Sequence, residues 1–397
     1  MNYKTRFQLF FAGMILFQLA ANFAHPVTPT IIQDLKLPDY MFGLMLAAMQ
    51  LSSFLFSPFW GKLNVSISSR QTLLICCMGY GIAQLGFAVA TTQTMILLAR
   101  VLAGVFVGGI FVSFLTYVVS TAKPEDQAKY LTYSATIQAV CGAFGYLVGG
   151  VLGEFSIRGT FCLQAFCLGL TGVLFRLVCL PDAQKTQIDL KQIARETNPL
   201  QAFLDGRHFM NMAFVMLFAV NILMNFANTG FDQVFNYYLK DQLGLTSSYN
   251  GIIKAAVGLI SFVFNMSVCL WIIRKTDTKL SLAVLMGLCT LMALGTVMSS
   301  EIWLFISLSV FVYAGYSVSL PVLQHMVAVQ ADPAQKNLVM GFYNATKSLG
   351  SIIGSLMAGF LYAVHTKLPF AVVAVTYGLS FLAAMGYLMG KKKQAVQ

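Results

Sequence analysis

The chain has 397 residues, of which 58% are hydrophobic and 10% charged, and it carries a formal net charge of +11. A soluble domain holds about 25% charged residues, so this composition excludes an ordinary soluble protein and assigns the chain to lipid. The positive balance would suit nucleic acid, but the basic residues fall in short loops between apolar runs, which ties them to membrane topology and leaves no nucleic-acid partner.

In chain order, apolar runs of the roughly 20 residues needed to cross a bilayer are predicted at about 7–31, 41–60, 72–91, 94–120, 130–153, 159–179, 209–236, 249–273, 280–299, 302–329, 338–362 and 369–390. Lys4 and Arg6 before the first run imitate a signal peptide. The run is too long and lacks a small-x-small cleavage site, so it is kept as the first span. The expected fold is therefore an all-α polytopic membrane protein. The terminus, the loops after even-numbered spans and the tail hold 17 of the 25 Lys and Arg, while the opposite loops hold only Lys36, Arg158, Lys240 and Lys367. The positive-inside rule then places both termini in the cytoplasm. Trp60, Trp271 and Trp303 are read as interfacial anchors at span ends. The eight cysteines lie in apolar runs without paired spacing and are read as reduced packing residues. No metal-ligand cluster or cofactor motif occurs, and no P-loop for an ATP-driven pump.

The chain repeats itself. Tyr133 to Gly150, YSATIQAVCGAFGYLVGG, returns as Tyr343 to Gly359, YNATKSLGSIIGSLMAG. Gly142, Gly145, Gly149 and Gly153 make one helical stripe, with Gly150 beside it. Gly350, Gly354 and Ala358 make another, next to Ser351, Ser355 and Gly359. Small residues at this spacing let helices approach closely in lipid. Leu35-Lys36-Leu37 with Gly43 matches Leu243-Gly244-Leu245 with Gly251 at an offset of 208, and Ala103-Gly104 matches Ala314-Gly315 at 211. Two homologous parts follow: 1–180 as an N-terminal six-helix bundle and 209–397 as a C-terminal one, pseudo-twofold related. Between them lies a polar linker, 181–208, in which 188–203 has the pattern of a surface amphipathic helix or a solvated strand of chain.

Twelve spans in two halves of six with a polar central loop resemble the major facilitator superfamily. Arg100 to Gly104, followed by Gly108 and Gly109, resembles that family's R-x-x-x-G motif in span four. Gly145-Tyr146-Leu147-Val148-Gly149-Gly150 is similar to the G-P-x-x-G-G motif of its proton-coupled antiporters, with Tyr146 in the proline's place. Gly61 to Arg70 aligns with the loop signature G-x-L-x-D-R-x-G-R-R, keeping only Gly61, Leu63 and Arg70. The resemblance implies a proton-coupled secondary transporter, and for Arg100 a role in proton movement or in bracing the N-terminal half.

Charges inside a bilayer are costly and mark paths or paired sites. Lys347 lies near mid-span eleven, and its repeat mate is Gln138 in span five. Both are read as lining a solute cavity. Lys254 begins span eight and Asp232 ends span seven, which suits either a gating salt bridge or a desolvated proton carrier. His25 sits late in span one with Asn22 a turn earlier and Pro26 and Pro29 beyond. Many drug/proton antiporters carry an acid there, and histidine is able to titrate instead. Three deep cations, Arg100, Lys254 and Lys347, against one acid favour an anionic solute over a lipophilic cation. The functional expectation is proton-coupled efflux of a small molecule by alternating access, acting as a monomer in a bacterial cytoplasmic membrane. Uptake or exchange of an organic anion is the alternative. A membrane-embedded lipid-handling enzyme would need a nucleophile or His/acid constellation that His25 and Asp232 do not form, and a transporter-like sensor or lipid-handling protein is the third class.

Overall fold

The computed structural model describes residues 2–181, 197–332 and 335–396. Fifteen α-helices are described among them: α1 Tyr3–Ala21, α2 Thr28–Asp34, α3 Met41–Ile67, α4 Ser69–Val89, α5 Gln93–Thr121, α6 Pro124–Phe155, α7 Ile157–Val178, α8 Gln201–Asp205, α9 Met212–Asp241, α10 Ser247–Phe264, α11 Leu270–Lys275, α12 Thr278–Met298, α13 Ile302–Gln330, α14 Lys336–Val364 and α15 Leu368–Val396. Helices dominate because lipid offers no partner for peptide groups, so each span must satisfy its own backbone. Eleven spans among the described residues are long and apolar enough to cross a membrane, with α10 and α11 counted as one. The surface helix anticipated at 188–203 lies mostly outside the described residues, and only α8 at its end is seen.

The first span is the exception. It breaks into α1 and α2 around a turn, because Pro26 and Pro29 have no N–H to continue the ladder. His25 N–H donates to Asn22 O instead of Ala21 O. The orphaned Ala21 carbonyl is taken by two side chains, Gln164 Nε2 at 3.2 Å and Tyr80 Oη at 3.4 Å.

Two compact units partition the contacts. One holds residues 1–37, 48–199 and 244–258; the other holds 38–47, 200–243 and 259–397. Within the first unit α1 packs on α6 and α7, and α4 packs on α5 and α7. Within the second, α9 packs on α14 and α15, and α12 packs on α13 and α15. The same four pairings recur in the same order, which is the internal repeat expressed as packing.

The glycines explain why. A Cβ on Gly145 would strike the backbone of Leu19 in α1 and one on Gly149 that of Phe23 in the turn after it, while one on Gly350 or Gly354 would strike Ile222 or Phe226 in α9. Gly142 faces Asn22 more loosely. On the neighbouring stripe, Gly150 lies against Ser247 and Gly251 in the first unit, while Gly359 lies against Tyr40 and Gly43 in the second. Gly43 and Gly251, matched in sequence, are thus matched in what they touch. Ser355 Oγ adds a 2.9 Å bond to Gly43 O.

Two sequence expectations are corrected. The stretch 61–67 is not loop but the last two turns of α3, and the break comes at Ser68, whose φ is 72°. Trp60 is no interfacial anchor: it is 6% exposed and donates from Nε1 to Val105 O at 2.6 Å, in the space that Gly109 leaves open. Trp271 and Trp303 are exposed, as anchors should be. All eight cysteines are free, and Cys162 alone of them is exposed.

One irregularity lies beside a proline of the neighbouring helix. Residues Asn265–Cys269 form a π-helical segment between α10 and α11. Pro321 in α13 cannot donate to Ser317 O, and Asn265 Nδ2 supplies the missing bond at 3.2 Å.

Candidate functional site

In the first unit the broken end of α1 opens a cavity of about 290 Å³. Gln18 and Asn22 reach it from α1, His25 from the turn, Tyr80 from α4 and Gln138 from α6. Phe17, Met49 and Phe111 give it an apolar wall, and among the described residues no acidic one lines it. The sequence-predicted residues Asn22, His25 and Gln138 are therefore brought together. Gln18, Tyr80 and Met49 were missed. Gln18 is a polar residue inside an apolar run and was a usable signal; the other two reach the cavity only through tertiary packing.

The polar groups differ in how well they are satisfied. Asn22 Nδ2 donates to Gln18 O at 2.8 Å. Gln18 itself is 4% exposed and its Nε2 has no partner among the described residues. Gln138 is exposed to the cavity. The His25 ring stacks on Tyr146 at 5.1 Å between centroids and 9° between planes. Tyr146 also lies 5.7 Å from Lys254 Nζ, so a buried cation and a titratable imidazole share one aromatic face group. Tyr146 occupies the position where the antiporter motif carries proline.

Arg100 stands behind this wall. It is 5% exposed, its guanidinium lies 4.1 Å over the Phe87 ring, and Nη2 and Nη1 are 3.5 Å from Thr28 Oγ1 and 4.0 Å from Met49 Sδ.

On the matching helices the second unit holds a polar ladder, and its own cavity, of about 350 Å³, lies elsewhere, lined by Phe209, Asn211, Gln330, Asp332 and Gln335 among others. Asn221 donates to Tyr343 O at 2.8 Å and to Thr346 Oγ1 at 2.9 Å. Asn225 donates to Asn221 O and Oδ1 and accepts from Tyr316 Oη at 2.9 Å. Lys347 follows Thr346 directly, is half-buried, and has no hydrogen-bond or ion-pair partner among the described residues. Asp232 accepts from Tyr313 Oη at 3.0 Å. Asp232 lies in the second unit and Lys254 in the first. Among the described residues no group of His, Cys, Asp and Glu is arranged to hold a metal.

Comparison with known proteins agrees with this architecture. The sequence profile of the Major Facilitator Superfamily matches residues 10–302 and 284–397. The chain belongs to that superfamily. It is an integral membrane transporter and not an enzyme, and its work is to move a small molecule without covalent chemistry. It is 23% identical over 394 residues to the quinolone resistance protein NorA of Staphylococcus aureus (strain COL), covering 99% of this chain and 98% of the relative. It is 20% identical over 369 residues to multidrug resistance protein 2 of Bacillus subtilis (strain 168), covering 92% and 91%. Among solved structures, a bacterial homologue of the human lysosomal transporter Spinster, inward-facing and unoccupied, matches with a TM-score of 0.77 at 12% identity, covering 97% and 98%. The human organic anion transporter MFSD10 matches with a TM-score of 0.68 at 16% identity, covering 97% and 100%. At these identities the transporter shares their fold.

Proposed function

We propose that the transporter exports small aromatic molecules from a bacterial cell by alternating access, driven by protons moving the other way. The observation that carries this reading is the cavity in the first unit, where Asn22, His25 and Gln138 converge beside an apolar wall. Such a site holds a solute by shape, stacking and a few hydrogen bonds, as small-molecule pockets do. Full-length similarity to a quinolone resistance protein and a multidrug resistance protein supports export of drug-like compounds.

His25 is the proton carrier in this scheme, since it lines the cavity and the span-one acid of many antiporters is absent. Asp232, hydrogen-bonded to Tyr313, is the second candidate for that role. Lys347 and Lys254 are assigned to solute contact, and Lys254 also to gating. The helix-packing glycines keep the bundles rigid while the transporter changes state. Both termini face the cytoplasm, the protein acts as a monomer, and its bundles follow the sequence division at 1–180 and 209–397 with 181–208 as the connecting strap.

Reconstitution tests the reading. Vesicles with an imposed proton gradient are offered a fluoroquinolone, a lipophilic cation and an aromatic carboxylate. Gradient-dependent movement of at least one, abolished when the gradient is collapsed by an ionophore, is the expected result. Movement that ignores the gradient removes proton coupling, and the absence of any movement removes the drug-export reading.

A further inference from the structure

Arg100 is a full charge with almost no access to water, and no carboxylate meets it among the described residues. A guanidinium stays protonated in proteins and carries five N–H donors. Here it has an aromatic face, one hydroxyl at 3.5 Å and one thioether at 4.0 Å. The hydroxyl donates its proton to Ala24 O at 2.8 Å and accepts from Arg100 with a lone pair, so it is a neutral partner that leaves the charge unbalanced. Cation–π contact returns only part of what desolvating an unpaired ion costs. The uncompensated charge therefore leaves a positive potential in a region of low dielectric.

That potential falls on the cavity. Met49 lines the cavity with one side and touches Arg100 Nη1 with its sulfur, so the wall between the guanidinium and the solute space is one side chain thick. Methionine is unbranched and adapts its rotamer readily. Gln18 supplies the second element: a buried amide that lines the cavity and whose Nε2 donor has no partner. Two buried donors therefore lie close behind the cavity surface, and among the described residues no acid of its lining balances them.

We propose that Arg100 is the counter-charge for an anionic group on the transported solute, reached when the Met49 side chain moves aside, with Gln18 Nε2 as an added donor. The solute class is an aromatic monocarboxylate whose ring lies against Phe17 and Phe111. This rests on the cavity being the solute site, and it gives Arg100 a recognition role where the family resemblance implies only proton movement or bracing. The anion binds without any change in the arginine's protonation, so proton coupling stays with other groups.

The test is binding to the full-length protein in nanodiscs of uncharged phosphatidylcholine, read by calorimetry, with 2-naphthoate and its neutral isostere 2-naphthamide as probes. Naphthoate should bind at least about tenfold tighter than naphthamide, as one charge-assisted pair predicts. Arg100→Gln should erase that preference by weakening naphthoate at least about tenfold more than naphthamide, and Arg100→Lys should keep part of it. Wild type gives an independent measurement should the variant fold poorly. Its preference must persist from about pH 6 to about pH 9, because arginine stays charged where histidine does not. A preference that is absent, that survives Arg100→Gln, or that vanishes as histidine loses its proton overturns the assignment. Failure of gradient-driven transport would instead strike the export reading and leave this binding result standing.

Discussion

The two units have the same helix pairings and spend their polar residues differently. In the first, the break after Ala21 leaves Gln18, Asn22, His25 and Gln138 around open space, with an unpaired amide on Gln18 and a lone guanidinium behind Met49. In the second, Asn221, Asn225, Thr346 and Tyr316 use their hydrogen bonds on one another and on Tyr343 O. A satisfied buried network rigidifies the core that contains it. Unspent donors beside a cavity are available to a solute. The repeat thus fixes packing in both units, while unspent donors border the cavity of the first and the matching helices of the second spend theirs on bracing, the Lys347 ammonium excepted.

The largest effect should come from the feature the units share. Gly145 and Gly354 are repeat mates, and a side chain on either meets backbone of α1 or α9. Backbone cannot step aside as a side chain does, so Gly145→Val and Gly354→Val should each exceed the roughly 1–3 kcal/mol of ordinary overpacking. Both variants should lose the monodisperse peak on size-exclusion in detergent. Tolerance of one and collapse of the other would confine the repeat to sequence.

Next come substitutions that should separate the units. Asn225→Ala strands the Tyr316 hydroxyl and a buried Asn221 acceptor, a loss of about 1–3 kcal/mol. It should lower the melting temperature clearly. Gln138→Ala removes an exposed cavity side chain and should leave melting unchanged while weakening solute binding several-fold. Reversed outcomes would exchange the roles given to the two units. Lys347→Gln should behave like the cavity variant, because its ammonium has no partner to strand among the described residues. A large drop in melting temperature would make Lys347 a structural residue instead.

How much of this was readable in advance follows the same division. Helices, the repeat, and the stripe from Gly142 to Gly153 were legible because spacing along one helix fixes which residues share a face. So was the break in the first span, which Pro26 and Pro29 announce. Trp60 was misread because its composition and position suit an interface equally well; only Gly109 and Val105, on another helix, show that it points inward. The loop signature misled at 61–67 because motif alignment carries no information on where a helix stops. Met49 and Tyr80 gave no sequence signal for a site, since a methionine or a tyrosine in an apolar span is ordinary core until packing sets it beside a cavity. The bond from Asn265 to Ser317 O was hidden for a related reason: Pro321 shows which carbonyl is orphaned but not what will reach it.

The smallest predicted effect lies between spans eleven and twelve. Lys367 caps the end of α12, donating from Nζ to Thr296 O at 3.2 Å and Ser299 O at 3.0 Å, with the Tyr238 and Phe305 rings 5.4 and 5.3 Å away. Burial among these groups pulls its pKa below the usual 10.5 of a lysine. The folded state then holds this proton less firmly than the unfolded chain does. Stability from this group must therefore rise with pH across the window between the depressed value and 10.5, where the unfolded chain still binds the proton. Lys367→Met removes both the titration and the cap. Melting curves should show wild type gaining on the variant as pH climbs through that alkaline window, by a small margin because the ammonium is still partly solvated. A gap that narrows with rising pH would mean that the capping bonds to α12 depend on the positive charge more than burial opposes it.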